Sequence, residues 1–140
     1  MLLLYLLKKW ELLDKLAIFA YGLKQQLGVI YMADIFETIQ PKGILDSVNT
    51  NNLRRDILDT INGEAKVILL DLQDITFMNS SGLGALVATL KAVKAKGGEL
   101  ALCSLSEQVR IIFELSRMER IFQVFEDSKQ FEAKYSVNVQ

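Results

Sequence analysis

The chain has 140 residues, 51% of them hydrophobic and 24% charged, with a net charge of -1 at pH 7, and this balance predicts one globular domain. The near-neutral charge argues against direct nucleic-acid binding. With no histidine and only one cysteine, Cys103, the chain cannot form an internal disulfide or any site that needs an imidazole, and no cofactor or metal is expected.

The first 31 residues differ from the rest in charge. They carry four lysines and two acidic residues, whereas residues 32–140 carry 12 basic and 15 acidic residues. Their apolar runs lack the features of a signal peptide and fall short of the roughly 20 residues of a transmembrane helix. Two interpretations are open. We favour an extension upstream of a true start at Met32; the alternative is an amphipathic helix that lies on a membrane surface or a partner.

From Met32 onward, strand-like and helix-like segments alternate. Five segments have the composition of strands: Ile35–Ile39, Gly43–Leu45, Val67–Asp71, Leu100–Cys103 and Ile121–Phe125. The first two are expected to pair or lie side by side. The third is apolar up to its last residue, as in a strand buried on both faces of a parallel sheet, and is the predicted central strand.

Four helices are expected between and after these strands. Their predicted N-terminal caps are Asn49 or Thr50, Asn79 or Ser80, Ser106, and Ser128. The first helix is expected to stop at Asn62 and Gly63, and the third to bury Leu115 together with Val109, Ile112 and Phe113. Alternating strands and helices with right-handed crossovers predict an α/β fold with helices packed on a sheet.

The segment 74–85, which joins the central strand to the second helix, has an unusual concentration of serine and glycine. Function tends to lie at such carboxyl ends of parallel strands. Ser81 falls in the first helical turn, and Gly82 and Gly84 leave room for a partner or a phosphate to approach the backbone. The positive end of the helix would tolerate a phosphate on Ser81. The alternative is a helix cap with small residues that allow tight packing.

These residues resemble a known family. The run Phe77-Met-Asn-Ser-Ser-Gly-Leu-Gly84 is similar to the signature of STAS domains, and specifically of stand-alone bacterial anti-sigma factor antagonists. Gly43-Ile-Leu-Asp46, Gly97-Gly98 and Val109 to Leu115 match other family segments, so the resemblance covers about residues 35–130. It implies a STAS-type single α/β domain over residues 32–140, with a mixed central β-sheet, in a cytoplasmic protein that is not an enzyme.

The resemblance also implies a switch. In the family, the second serine of Asp-Ser-Ser-Gly is phosphorylated by the partner anti-sigma factor, a serine kinase with a histidine-kinase-like ATPase fold; that serine is Ser81 here. The unphosphorylated form binds the anti-sigma factor and frees the sigma factor, and a metal-dependent serine phosphatase resets the phosphorylated form. The implied partner-binding residues are Asn79, Ser80, Ser81, Gly82, Leu83 and Gly84.

One residue departs from the family pattern, because Asn79 replaces the aspartate that precedes the two serines. Asparagine keeps a capping oxygen but removes a negative charge beside Ser81, which puts phosphorylation in question. The alternative function is a STAS scaffold, or a module that senses a nucleotide or lipid, without regulation by phosphorylation.

Two other residues have mainly structural interpretations. Asp71 ends the central strand like the phosphoacceptor of a receiver domain, but the acidic pair that would hold magnesium is missing, which favours a structural aspartate. Cys103 lies in an apolar run, where a buried thiol behaves as a small and inert hydrophobic group.

Overall fold

The computed structural model describes residues 36–62 and 65–139, with side chains as far as Tyr135, and four isolated positions at residues 2, 3, 15 and 19. Apart from those positions, the predicted extension over residues 1–31 lies outside the described residues, as does the predicted helix stop at Gly63. The domain division at Met32 therefore stays a prediction.

Strands and helices alternate along the described chain. In order, the elements are β1 (Phe36–Ile39), β2 (Gly43–Leu45), α1 (Ser47–Asn62), β3 (Val67–Asp71), β4 (Ile75–Met78), α2 (Ser80–Ala95), β5 (Glu99–Cys103), α3 (Glu107–Leu115), a 3-10 turn (Met118–Arg120), β6 (Gln123–Phe125) and α4 (Ser128–Val139). All five predicted strands are present. Strand β4 is additional and lies in the segment that the sequence analysis treats as a loop.

Four strands form the main sheet, in the order β1-β3-β5-β6. The predicted central strand is confirmed, because β3 lies between β1 and β5 and its residues from Val67 to Leu70 are buried. The expectation of a mixed sheet, with both parallel and antiparallel strands, is corrected. Every strand pair in the described part of the chain is parallel. The reason is that each connection within the main sheet crosses over through a helix and brings the chain back in the same direction.

Strands β2 and β4 form a separate two-stranded parallel sheet. The expected pairing of the first two predicted strands is wrong, because β1 pairs with β3 instead. Between them, Pro41 lacks a backbone N–H and Gly43 adopts a φ of +94°, so the chain turns out of the main sheet. The Gly43 N–H donates to the Asp74 carbonyl oxygen at 3.0 Å, which holds β2 beside β4.

The two faces of the main sheet are covered unequally. Helices α1, α2 and α3 contribute to one hydrophobic core together with the side chains of Ile68 and Leu70 from β3. The alternate β3 side chain, Leu69, points to the other face, where it belongs to a smaller core with Phe131 of α4. The fully buried Phe131 ring lies 5.0 Å from that of Phe36, centroid to centroid, so the last helix closes this face with aromatic contacts.

Two predicted helix caps are corrected, and the predicted cap Ser106 precedes α3 without a side-chain capping hydrogen bond. Helix α1 begins at Ser47 and is capped by Asp46, whose Oδ1 accepts from the Asn49 N–H at 2.8 Å. Helix α4 begins at the predicted cap Ser128, after Asp127, whose Oδ1 accepts from the Gln130 N–H at 2.8 Å. In both cases an aspartate precedes the expected residue, supplies an equally good acceptor and adds a charge that the helix dipole favours.

The end of α3 differs from the prediction in its last residue. Val109 and Phe113 are buried as expected, but Leu115 is 80% exposed. Two helical residues span about 200°, so Leu115 lies opposite Phe113 and faces away from the core. The chain then turns at Arg117, whose φ of +54° and ψ of +36° lie in the left-handed region. Residues other than glycine adopt this conformation at a cost in free energy.

This turn gives a first prediction. Replacing Arg117 with glycine relieves about 1–2 kcal/mol of left-handed strain and loses about 0.4–1 kcal/mol through the freer unfolded chain. We expect the Arg117→Gly variant to gain up to about 1.5 kcal/mol in its free energy of unfolding, measured by urea denaturation. The Arg117→Ala variant keeps the strain and should show no gain; equal stability of the two variants would contradict the argument.

Candidate functional site

The segment from Asn79 to Gly84 lies at the edge of the domain where β4 ends and α2 begins. Helix α1 follows the end of β2 and α3 follows the end of β5, so three helices begin at the carboxyl ends of parallel strands. Each of these N-termini carries backbone N–H groups without partners in the helix and the positive end of a helix dipole. This edge is therefore favourable for an anionic group.

Asn79 fixes the start of α2. Its backbone is extended, and its side-chain Oδ1 accepts from the Gly82 N–H at 2.8 Å. The Asn79 carbonyl accepts the first helical hydrogen bond, from the Leu83 N–H at 2.9 Å. Of the two caps that the sequence predicted, the structure confirms Asn79. The capping contact uses the acceptor oxygen, which asparagine and aspartate share.

Ser80 and Ser81 occupy the first turn of α2, and both are exposed. Because Asn79 provides the cap, neither hydroxyl is needed to start the helix. The Ser81 hydroxyl is thus accessible from solvent, next to backbone N–H groups at the positive end of α2. Its accessibility and its position suit a phosphate acceptor.

Gly82 and Gly84 differ in their surroundings. Gly82 is buried, and a Cβ placed on it would overlap the Leu45 carbonyl oxygen and lie 2.6 Å from the carbonyl carbon. The missing side chain of Gly82 therefore serves the packing of α2 against β2, not the approach of a partner. Gly84 is exposed, and a Cβ there would meet nothing within 4 Å.

The six predicted site residues therefore divide into two groups. Gly82 and Leu83 are buried, Leu83 being 8% exposed, so they position the turn from inside. Ser80, Ser81 and Gly84 are exposed, and Asn79 is half-buried, so these four remain available for contact.

Two hydrogen bonds, one to α3 and one to β2, hold the residues that precede Ser80. The Met78 N–H donates to the Gln108 Oε1 of α3 at 3.1 Å, and the Asn79 N–H donates to the Leu45 carbonyl at 3.3 Å. Both the β2 and the α3 contacts thus converge on the two residues before Ser80. The sequence analysis missed this support, although the β-branched and aromatic residues of Ile75–Met78 are a strand signal.

The two other candidates have the structural roles that the sequence favoured. The half-buried Asp71 carboxylate accepts from the Gln73 N–H at 3.0 Å and so stabilises the turn after β3. Cys103 is fully buried, and burial raises the pKa of its thiol above the ordinary value, which keeps it protonated and unreactive.

A cavity of about 370 Å³ lies at the far end of α2, away from Ser81. Its lining includes Lys94 of α2, Glu99 of β5 and Tyr135 of α4, and the Tyr135 hydroxyl donates to a Glu99 carboxylate oxygen.

Among the described helices, none combines the length and the hydrophobicity that a membrane-spanning segment needs. The described residues also hold no cluster of three or more acidic or cysteine side chains that could bind a metal ion.

Comparison with known proteins identifies relatives along most of the chain. The family model of the STAS domain matches residues 33–131. The anti-sigma F factor antagonist of Paenibacillus polymyxa is 28% identical over 90 residues, which cover 64% of this chain and 77% of that protein. The anti-sigma-B factor antagonist of Bacillus subtilis is 40% identical over 53 residues, which cover 38% of this chain and 49% of that protein.

The fold has a relative among solved structures. The anti-sigma factor antagonist SpoIIAA in its unphosphorylated form matches with a TM-score of 0.58 at 23% identity, covering 71% of this chain and 88% of that chain. The Bacillus protein SpoIIAA has also been solved in a phosphorylated form. At this identity the likeness shows the fold, and it confirms the predicted α/β class.

The two glycines of α2 give a second prediction. Gly82→Ala should lower the free energy of unfolding by about 1–3 kcal/mol, because the added methyl group must displace α2 from the β2 backbone. Gly84→Ala, in open space on the same helix, should raise it by about 0.5–1 kcal/mol through helix propensity. Urea denaturation of both variants measures the difference, and equal effects would mean that the contact with Leu45 does not constrain α2.

The cap gives a third prediction. Asn79→Ala should lower the free energy of unfolding by about 1 kcal/mol, because the Gly82 N–H loses its acceptor. Asn79→Asp keeps that acceptor and adds a charge at the helix N-terminus, so its stability should equal or exceed the wild type by up to about 1 kcal/mol. Thermal and urea unfolding test this pair; an aspartate variant as unstable as the alanine variant would contradict the capping role.

Proposed function

Because this chain belongs to the STAS domain family, we propose that it is an anti-sigma factor antagonist controlled by phosphorylation of Ser81. In this proposal the unphosphorylated protein binds an anti-sigma factor that is also a serine kinase. The anti-sigma factor then releases the sigma factor that it holds. The observation that carries the proposal is the exposed Ser81 hydroxyl at the capped start of α2, in a chain whose curated relatives are anti-sigma factor antagonists.

The chain acts as a substrate in this cycle and not as an enzyme. The kinase brings ATP, and the Ser81 Oγ attacks the γ-phosphorus. The bond from that phosphorus to the β–γ bridging oxygen breaks, ADP leaves, and the hydroxyl proton passes to a base or water in the kinase site. Exposure of Ser81 and its fixed place in the first turn of α2 support this role, because in-line transfer needs an accessible and well-positioned acceptor.

The phosphate has opposite effects in the free and the bound protein. In the free domain it lies at the N-terminus of α2, where the helix dipole and the free N–H groups favour negative charge. At a close interface the same dianion would lose its water without gaining a paired cation, which is strongly unfavourable. Phosphorylation thus leaves the fold intact and breaks the complex.

A complete switch needs a reverse step. We assign it to a metal-dependent serine phosphatase, which hydrolyses the Ser81 phosphate and restores the binding form. The cycle takes place between proteins in the cytoplasm, and the near-neutral net charge of -1 gives this chain no part in binding nucleic acid directly. Asn79 preserves the helix start beside the phosphate and leaves one negative charge fewer there than an aspartate would.

The fourth prediction concerns Ser81. Each anti-sigma factor serine kinase encoded in the genome of origin is purified and titrated calorimetrically with the wild type, Ser81→Ala and Ser81→Asp. For the cognate kinase, Ser81→Asp should bind at least tenfold more weakly, which corresponds to about 1.4 kcal/mol, because its carboxylate is buried without a partner. With ATP, the kinase should add one phosphate to the wild type and none to Ser81→Ala.

Ser80→Ala is the matched control, since Ser80 is an exposed neighbour in the same turn. It should still receive one phosphate, on Ser81, as the wild type does. Phosphate found on Ser80 alone, equal affinities for all variants, or no binding to any of these kinases would each contradict the proposed function.

A further inference from the structure

The small β2–β4 sheet exposes apolar side chains beside the candidate site. Ile44 is 43% exposed and Phe77 is 46% exposed, and the two residues are register partners across the sheet. Their neighbours Leu45 and Met78 are buried, so the sheet turns those two inward and presents Ile44 and Phe77 on its outer surface. We call Ile44 and Phe77 the β2–β4 pair.

Hydrogen bonds hold the backbone of β2 beneath the β2–β4 pair. The Thr76 hydroxyl donates to the Gly43 carbonyl at 3.3 Å, and the Asn49 side-chain amide of α1 donates to the Ile44 carbonyl at 3.1 Å. Because this backbone is already ordered, binding would restrict only the rotamers of the two side chains. Val48, in the first turn of α1, adds a further exposed apolar side chain at 66% exposure.

The pair lies close to Ser81. Phe77 precedes Ser81 by four residues, so their Cα atoms are at most about 15 Å apart. Ile44 adjoins Leu45, whose carbonyl group touches Gly82, the residue after Ser81. A stable interface covers about 800 Å² on each partner, a disc of about 16 Å radius. An interface of this size that is centred on Ser81 extends as far as the β2–β4 pair.

We infer that Ile44 and Phe77 form an apolar anchor for the anti-sigma factor kinase, which would meet them with an apolar surface next to its ATP site. This inference rests on the proposed function and names the part of the partner that must be apolar. Charged groups opposite this pair would be desolvated without partners, whereas apolar groups gain from the burial. The anchor makes binding depend on two residues that take no part in phosphoryl transfer.

An exposed apolar residue far from Ser81 provides the control. Ile121 is 44% exposed, close to the exposure of Ile44, and it lines the cavity at the far end of α2 together with Lys94. Lys94 follows Ser81 by 13 residues of α2, about 20 Å along the helix axis. An effect of apolar exposure in general would appear at Ile121; an effect of this anchor would not.

The experiment titrates the same purified kinases with full-length wild type, Ile44→Ser, Phe77→Ser, Ile121→Ser and Ser81→Asp, each shown to be folded by circular dichroism. Ile44→Ser and Phe77→Ser should each bind at least tenfold more weakly, and Ile121→Ser should stay within twofold of the wild type. The heat-capacity change of binding should also become less negative for the first two, because less apolar surface is buried. Should Phe77→Ser fail to fold, Ile44→Ser carries the test, and Ile44→Lys provides a second substitution at that exposed position.

The outcomes separate the inference from the proposed function. If Ile44→Ser and Phe77→Ser bind within twofold of the wild type while Ser81→Asp is weakened tenfold, the anchor is refuted and the proposed function stands. Equal weakening by Ile121→Ser also refutes a local anchor. If the wild type binds none of the kinases, the proposed function fails and the inference with it.

Discussion

The backbone contact between α2 and β2 sets the geometry of the whole candidate site. Gly82 lies so close to the Leu45 carbonyl that no side chain fits between them. The first turn of α2 therefore rests directly on the end of β2, and the Asn79 N–H reaches the same carbonyl at 3.3 Å. The direction in which Ser81 faces, the burial of Leu83 and the place of the β2–β4 pair beside the turn all depend on this contact.

Because the start of α2 is held so firmly, it favours regulation of binding by a change in surface charge over regulation by a change in conformation. The cap at Asn79, the contact at Gly82 and the hydrogen bond from Met78 to Gln108 hold the turn from three sides. In the proposed function, a phosphate on Ser81 would change the surface potential of this edge while the backbone stays in place. A partner would read the modification at the interface itself, without a conformational signal passing through the domain.

The sequence was most informative where structure depends on neighbouring residues. The apolar runs of β3 and β5 are enough to predict two buried strands. An asparagine followed by two serines is likewise enough to predict that a helix starts at Asn79. Strand β4 has a local strand signal, but its partner β2 lies more than 30 residues earlier, and no local pattern shows that pairing. The opposite environments of Gly82 and Gly84 were also invisible, because they depend on where Leu45 lies in space.

The arrangement around α4 bears on how the chain is made. Among the described elements, α4 alone covers the face of the sheet that holds Leu69, Ala101 and Cys103. It follows β6, so the ribosome synthesises it after every strand of the sheet. A folding intermediate whose sheet has formed before α4 packs on it would lack this aromatic cover and would present the apolar face to other chains.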